Sequence, residues 1–234
     1  MKAEFPPRTS GTGLMRGSRS ITGLYAIADG GCVAAMQLDT AVRQALEGGA
    51  RAIQYRDKHA DTAVRRARAA SLARLCRRYD VPFIVNDDPV LALEAGAQGV
   101  HIGRDDGSVA AARAVLGAGA IIGVSCYNEF ARALQAADAG ADYVAFGSVY
   151  PSQTKPDAVP AGHDLLRRAK DETGLAVVAI GGIRPDNGAL LIEAGADALA
   201  VISGVFGEND VLAAARAYAQ LFSGRQHGPR NAPQ

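Results

Sequence analysis

The sequence predicts a single α/β domain folded as a (β/α)8 TIM barrel, and three observations carry that expectation. Short apolar runs alternate with amphipathic, Ala-rich stretches through residues 21–222; a four-residue phrase recurs at the junctions between them; and the strand–helix units number eight. Eight units in about 200 residues match a closed barrel of ordinary size.

The recurring phrase is an acid, a small residue, Gly and Ala. Its four copies are Glu47-Gly48-Gly49-Ala50, Glu94-Ala95-Gly96-Ala97, Asp138-Ala139-Gly140-Ala141 and Glu193-Ala194-Gly195-Ala196. The glycine before each alanine reads as a helix stop, because a left-handed residue without a Cβ ends a helix free of a clash. After every copy comes a run suited to a buried strand: Ala52-Ile53-Gln54-Tyr55, Val100-His101-Ile102, Tyr143-Val144-Ala145-Phe146 and Leu199-Ala200-Val201-Ile202. These are the even strands. The odd ones are Leu24 to Ala28, Pro82 to Val85, Ile121 to Val124 and Ala176 to Ile180, each followed by another helical pattern. Strict alternation implies parallel strands with right-handed crossovers. A doubly wound open sheet is the alternative, and eight units with a pairwise repeat suit closure better.

At 234 residues, 48% hydrophobic and 21% charged, the chain supports one sizeable core rather than two. Residues 1–20 and 223–234 are rich in Pro, Gly, Ser and Arg and are expected to be disordered extensions of the barrel at 21–222. Lys and Arg total 25 against 24 Asp and Glu, so no long-range field draws the molecule to nucleic acid or to a charged membrane. No stretch of about 18 apolar residues is present to span a bilayer. The three cysteines are widely spaced and form no ligand pattern, which suits a reducing cytoplasm. Small molecules are the expected partners, and the sequence leaves a homo-oligomer open.

In such barrels chemistry sits where strands run out into βα loops. Here those ends are polar: Gln54-Tyr55-Arg56-Asp57-Lys58 after the second strand, Asn86-Asp87-Asp88 after the third, Arg104-Asp105-Asp106 after the fourth and Ser125 on the fifth. The sixth leads into Pro151-Ser152-Gln153-Thr154-Lys155, the seventh into Gly181-Gly182 and the eighth into Ser203-Gly204. Each has a plainer reading. Arg56 and Lys58 are also acceptable loop charges; Asp87 or Asp88 before Pro89 suits a helix cap, as does Asp105 or Asp106 before the fourth helix; paired glycines make tight turns, and Ser203 suits an N-cap. Yet the third and fourth strands are neighbours, so Asp87 and Asp106 can approach one ion. Magnesium takes hard oxygen ligands from one or two carboxylates and from substrate phosphates. With Arg56, Lys58 and Lys155 near, the expected guest is a polyanion such as a diphosphate, while the glycines and Ser203 suit a monophosphate. His101 reads as a packed strand residue rather than a base, His59 as solvent-facing, and Cys126 as a small rim residue.

These segments together resemble the thiamine phosphate synthases, from about Gly23 to Phe206. Gln54 to Lys58 is similar to that family's Gln-x-Arg-acid-Lys, Val85-Asn86-Asp87-Asp88 to its Val-Asn-Asp, and Gly99 to Gly103 with Asp105-Asp106 to its fourth strand and second metal acid. Gly123-Val124-Ser125, Pro151 to Lys155, Ile180 to Ile183 and Ile202-Ser203 complete the resemblance. Asp57, Ser152 and Tyr127 stand where Glu, Thr and His are common. The resemblance implies a transferase that joins a 4-amino-2-methyl-5-hydroxymethylpyrimidine diphosphate to a thiazole phosphate, with diphosphate leaving first. It assigns Gln54, Tyr55, Arg56, Asp57, Lys58, Asn86, Ser125 and Lys155 to the pyrimidine diphosphate, with Arg56, Ser125 and Lys155 catalytic. Asp87 and Asp106 would hold Mg2+. Ser152, Gln153, Thr154, Gly182, Ile202 and Ser203 would hold the thiazole phosphate. A thiazole tautomerase-like barrel, another phosphate-binding barrel and a non-catalytic precursor-binding barrel are the alternatives.

Overall fold

A computed structural model of the chain describes residues 20–32, 38–151 and 161–223. Eight strands, β1 (Gly23–Asp29), β2 (Ala50–Arg56), β3 (Phe83–Asn86), β4 (Gly99–Ile102), β5 (Ile121–Tyr127), β6 (Tyr143–Phe146), β7 (Ala176–Ile180) and β8 (Ala198–Val201), close into a barrel in chain order. All eight pairings are parallel, the last joining β8 back to β1. The helices are α1 (Leu38–Glu47), α2 (Thr62–Arg78), α3 (Pro89–Ala95), α4 (Val109–Leu116), α5 (Phe130–Asp138), α6 (His163–Thr173), α7 (Gly188–Glu193), α8 (Ser203–Phe206) and α9 (Val211–Gln220). The expected count of eight helices is corrected to nine among the described residues, because the single turn of α8 precedes the packed helix α9.

Strand side chains alternate between two apolar layers, as a period of two requires. Tyr25, Ile27, Ala52, Ile84, Tyr143 and Val178 fill the barrel interior. Leu24, Ala26, Ile53, Tyr55, Phe83 and Val85 face outward into the larger layer beneath the helices. With both faces covered the strands read as nearly unbroken apolar runs, and each fully buried Val, Leu, Ile or Phe among them contributes about 1.5–3 kcal/mol.

The repeated phrase does two things at the lower rim of the barrel. Gly49, Gly96, Gly140 and Gly195 all take positive φ, at 101°, 70°, 81° and 105°, ending or following helices as expected. Two residues after three of them, a polar side chain pins the start of the preceding strand: Gln98 accepts the Phe83 amide, Asp142 the Ile122 amide and Asp197 the Val177 amide, each at 2.8 Å. At the opposite rim, Asp88 caps α3 by accepting the Leu91 amide, with Pro89 as the first helical residue. Ser108, not Asp105 or Asp106, caps α4 through the Ala111 amide.

Candidate active site

The carboxyl ends of β1 to β5 gather the polar residues into one mouth. On β2, Gln54 and Arg56 share the inner parity of Ala52, whereas Tyr55 belongs to the layer beneath the helices. The Tyr55 hydroxyl meets the Asp57 carboxylate at 3.3 Å, and Asp57 also accepts the His59 and Ala60 amides and the Arg68 guanidinium of α2. Tyr55 and Asp57, which the resemblance assigns to the pyrimidine diphosphate, also organise the β2–α2 loop. Burial pushes the Asp57 carboxyl up, but the two amides and Arg68 outweigh it and its pKa falls below 3.8. Arg56 pairs with Asp29 at the end of β1, its register partner.

Between the ends of β2 and β3, Lys58 Nζ lies 3.2 Å from Asp87 Oδ2. Asp88 is occupied as the cap of α3, which leaves Asp87 for the mouth. Asp87 sits at φ 65°, a left-handed conformation that costs a non-glycine residue energy and recurs at functional positions. Asp106 accepts the Gly103 amide at 2.8 Å, and its carboxyl neighbours that of Asp87. Burial, then the neighbouring Asp87, raises the Asp106 pKa above 3.8, while Lys58 opposes the rise. Two carboxylates held together favour either a shared proton or a cation between them. Asp57, Lys58, Asn86 and Asp87 line a cavity of about 430 Å3 at this point. A second hollow of about 480 Å3 opens at the opposite end, beside Arg77, Gln98 and Ile121, away from these groups.

Beneath the mouth runs a chain of polar side chains. Gln54 Nε2 donates to Tyr25 Oη at 2.8 Å, and Tyr25 Oη is 2.9 Å from Tyr143 Oη. Tyr143 Oη is 3.0 Å from His101 Nδ1, whose Nε2 is 2.8 Å from Ser125 Oγ. His101 packs inside the barrel as expected, and burial lowers its pKa from 6.5 to about 4, so the ring is neutral.

On the far side, Gly181 and Gly182 follow β7 with φ of 103° and 65°. A Cβ on Gly182 would lie 2.5 Å from the Pro151 carbonyl oxygen, so only glycine lets the β6 and β7 loops approach this closely. Ile202 precedes α8 and the exposed Ser203 opens it. Ser152, Gln153, Thr154 and Lys155 lie outside the described residues.

Sequence reasoning missed Asp29, Tyr25 and Tyr143. Asp29 carried the same signal as the other rim residues, a polar side chain closing an apolar strand before Gly30-Gly31. Tyr25 and Tyr143 passed as apolar strand residues, although an inward tyrosine needs a partner for its hydroxyl.

A closed parallel barrel with a carboxylate pair and facing cations at its C-terminal mouth defines a (β/α)8-barrel enzyme. The sequence pattern of the thiamine monophosphate synthase family matches residues 24–205. The chain is 55% identical to the thiamine-phosphate synthase of Nitrosococcus oceani, over 88% of this chain and 94% of that protein. It is 53% identical to that of Azoarcus sp., over 87% and 98%. Among solved structures, thiamine phosphate pyrophosphorylase from Pyrococcus furiosus superposes with a TM-score of 0.79 at 37% identity, covering 88% of this chain and 97% of that one. This chain belongs to the thiamine monophosphate synthase family.

Proposed function

We propose that the chain condenses 4-amino-2-methyl-5-hydroxymethylpyrimidine diphosphate with 4-methyl-5-(2-phosphoethyl)thiazole, or its carboxylated form, to give thiamine phosphate and diphosphate. The observation that carries this reading is the Asp87–Asp106 carboxylate pair beside Lys58, on the same mouth as Arg56. Such a donor set of hard oxygens fits a magnesium ion, which would supply positive charge against the oxygens of the diphosphate. Asp87 and Asp106 would hold it.

The remaining chemistry belongs to side chains. Arg56 and Lys58 receive the leaving diphosphate, Gln54, Asn86 and Ser125 orient the pyrimidine end, and no protein nucleophile is needed. Diphosphate departs with the C–O bonding pair, the aminopyrimidine spreads the charge left on its methylene carbon, and the thiazole nitrogen supplies the pair for the new C–N bond. The contribution of the barrel is preorganised charge and alignment of the two reactants. Gly182, Ile202 and Ser203 are the described candidates for the thiazole phosphate. Through the family resemblance Ser152, Gln153 and Thr154 join this assignment, and Lys155 joins the groups that receive the diphosphate. The catalytic unit is residues 21–222, and the spaced thiols favour a cytoplasmic setting.

Incubation with both substrates and magnesium, with thiamine phosphate and diphosphate as readouts, tests the proposal. Thiazole isomerisation alone would instead mark a tautomerase-like barrel, and binding without product a silent one. For Lys155→Ala we expect kcat to fall by about 2.7–4 kcal/mol of barrier, the loss typical of one anion-stabilising donor. An unchanged kcat refutes the role.

A further inference from the structure

The five-residue chain inside the barrel has a direction that follows from counting donors and acceptors. An amide nitrogen only donates, so Tyr25 Oη accepts from Gln54 Nε2. Tyr25 is buried, and its other partner in the chain is Tyr143; its proton goes there, because a buried donor without an acceptor carries the full desolvation cost. Tyr143 Oη accepts that proton and gives its own to His101 Nδ1. A neutral imidazole that accepts at Nδ1 carries its single proton on Nε2, which therefore donates to Ser125 Oγ. The hydroxyl proton of Ser125, half-buried near the end of β5, is what remains to be offered to a ligand.

We infer that Gln54, Tyr25, Tyr143 and His101 act as positioning residues that fix Ser125 as a one-way hydrogen-bond donor toward the pyrimidine diphosphate and deny it a general base. The inference rests on the function proposed above. It matters because a serine 2.8 Å from a histidine has the spacing of a nucleophile and its base. The opposite direction would put the Nε2 lone pair against the serine proton and arm Ser125 to attack the pyrimidine methylene carbon itself. With the chain running from Gln54 to Ser125, the serine keeps its proton, and the carbon is left for the thiazole nitrogen.

The tautomer of His101 decides the matter. It is read from long-range proton–nitrogen spectra of the full chain labelled at histidine, with the His101 signals assigned by their loss in His101→Asn. We expect the Nε2–H form, unchanged over the range in which an ordinary histidine titrates. An Nδ1–H form, with its lone pair toward Ser125, overturns the inference. A kinetic arm uses Tyr143→Phe, which keeps the ring that stacks on His101 with centroids 5.5 Å apart and deletes the link. We expect kcat to fall about tenfold, with KM for the pyrimidine diphosphate changed by less than about twofold. An unchanged kcat, or a loss confined to KM, makes the chain structural only and overturns its positioning role. If that variant does not fold, the wild-type spectrum still decides. The spectrum is independent of turnover: an inactive protein with the Nε2–H form counts against the synthase reading alone, and an active one with the Nδ1–H form against this inference alone.

Discussion

Gln54 and Tyr55 are neighbours in sequence with opposite surroundings, one turned into the barrel and the other under α2. Removing the Tyr55 hydroxyl should therefore leave the KM for pyrimidine diphosphate unchanged, while Tyr55→Phe lowers stability by about 0.5–1.5 kcal/mol, the net worth of one hydrogen bond. Paired kinetics and urea melts check both halves of that expectation. Asp87 is the contrasting case, since its carboxylate stands free of helix capping and against Asp106. For Asp87→Asn we expect the magnesium concentration giving half-maximal activity to rise at least about tenfold, the lower end of what a lost ligand or ligand-orienting group costs. A titration identical to wild type removes Asp87 from the metal site.

At the scale of elements, β5 and β6 meet where Gly123 lies against the Tyr143 ring. A Cβ at 123 would come within 1.9 Å of Tyr143 Cζ. Gly123→Ala should cost about 1–3 kcal/mol through overpacking and should lower kcat as well, because the displaced ring is the middle of the polar chain. A urea midpoint equal to wild type would contradict the close approach. This glycine shows where the sequence stops being legible. The strands, their order and the helix stops follow from local patterns: apolar runs, the repeated acid–small–Gly–Ala phrase, and period two. The Asp87–Asp106 neighbourhood follows one step later, from adjacency of the third and fourth strands. The Tyr25–Tyr143 contact spans 118 residues of chain and pairs two side chains that each read as ordinary strand filling. Nothing local marks α8 either, since one helical turn is too short to show a periodicity.

The whole molecule carries an acid sensitivity traceable to its interior. Burial lowers the His101 pKa from 6.5 to about 4, so in that window the unfolded chain binds a proton that the folded chain refuses. The stabilisation is complete above pH 6.5 and is lost as pH falls toward about 4, up to about 3 kcal/mol at 1.36 kcal/mol per unit. Asp57, with its pKa lowered, adds a further loss below 3.8. Asp106, with its pKa raised, works in the opposite sense just above 3.8, so the His101 share is the difference between wild type and His101→Asn. Urea midpoints measured from pH 7 downward should fall more steeply in the wild type than in the variant; parallel curves would mean that the ring is protonated in the native state.

Closure of the sheet also sets how the chain reaches its native state. The seam between β8 and β1 pairs Gly23 with Ala198 through Ala26 with Val201, strands from opposite ends of the barrel sequence. The other seven pairings join strands adjacent in the chain and can zip progressively. This one must wait for both ends to meet. Until it forms, two ribbons of unpaired amides and carbonyls are open to other molecules, so the vulnerable moment for aggregation is the interval before the last staves meet.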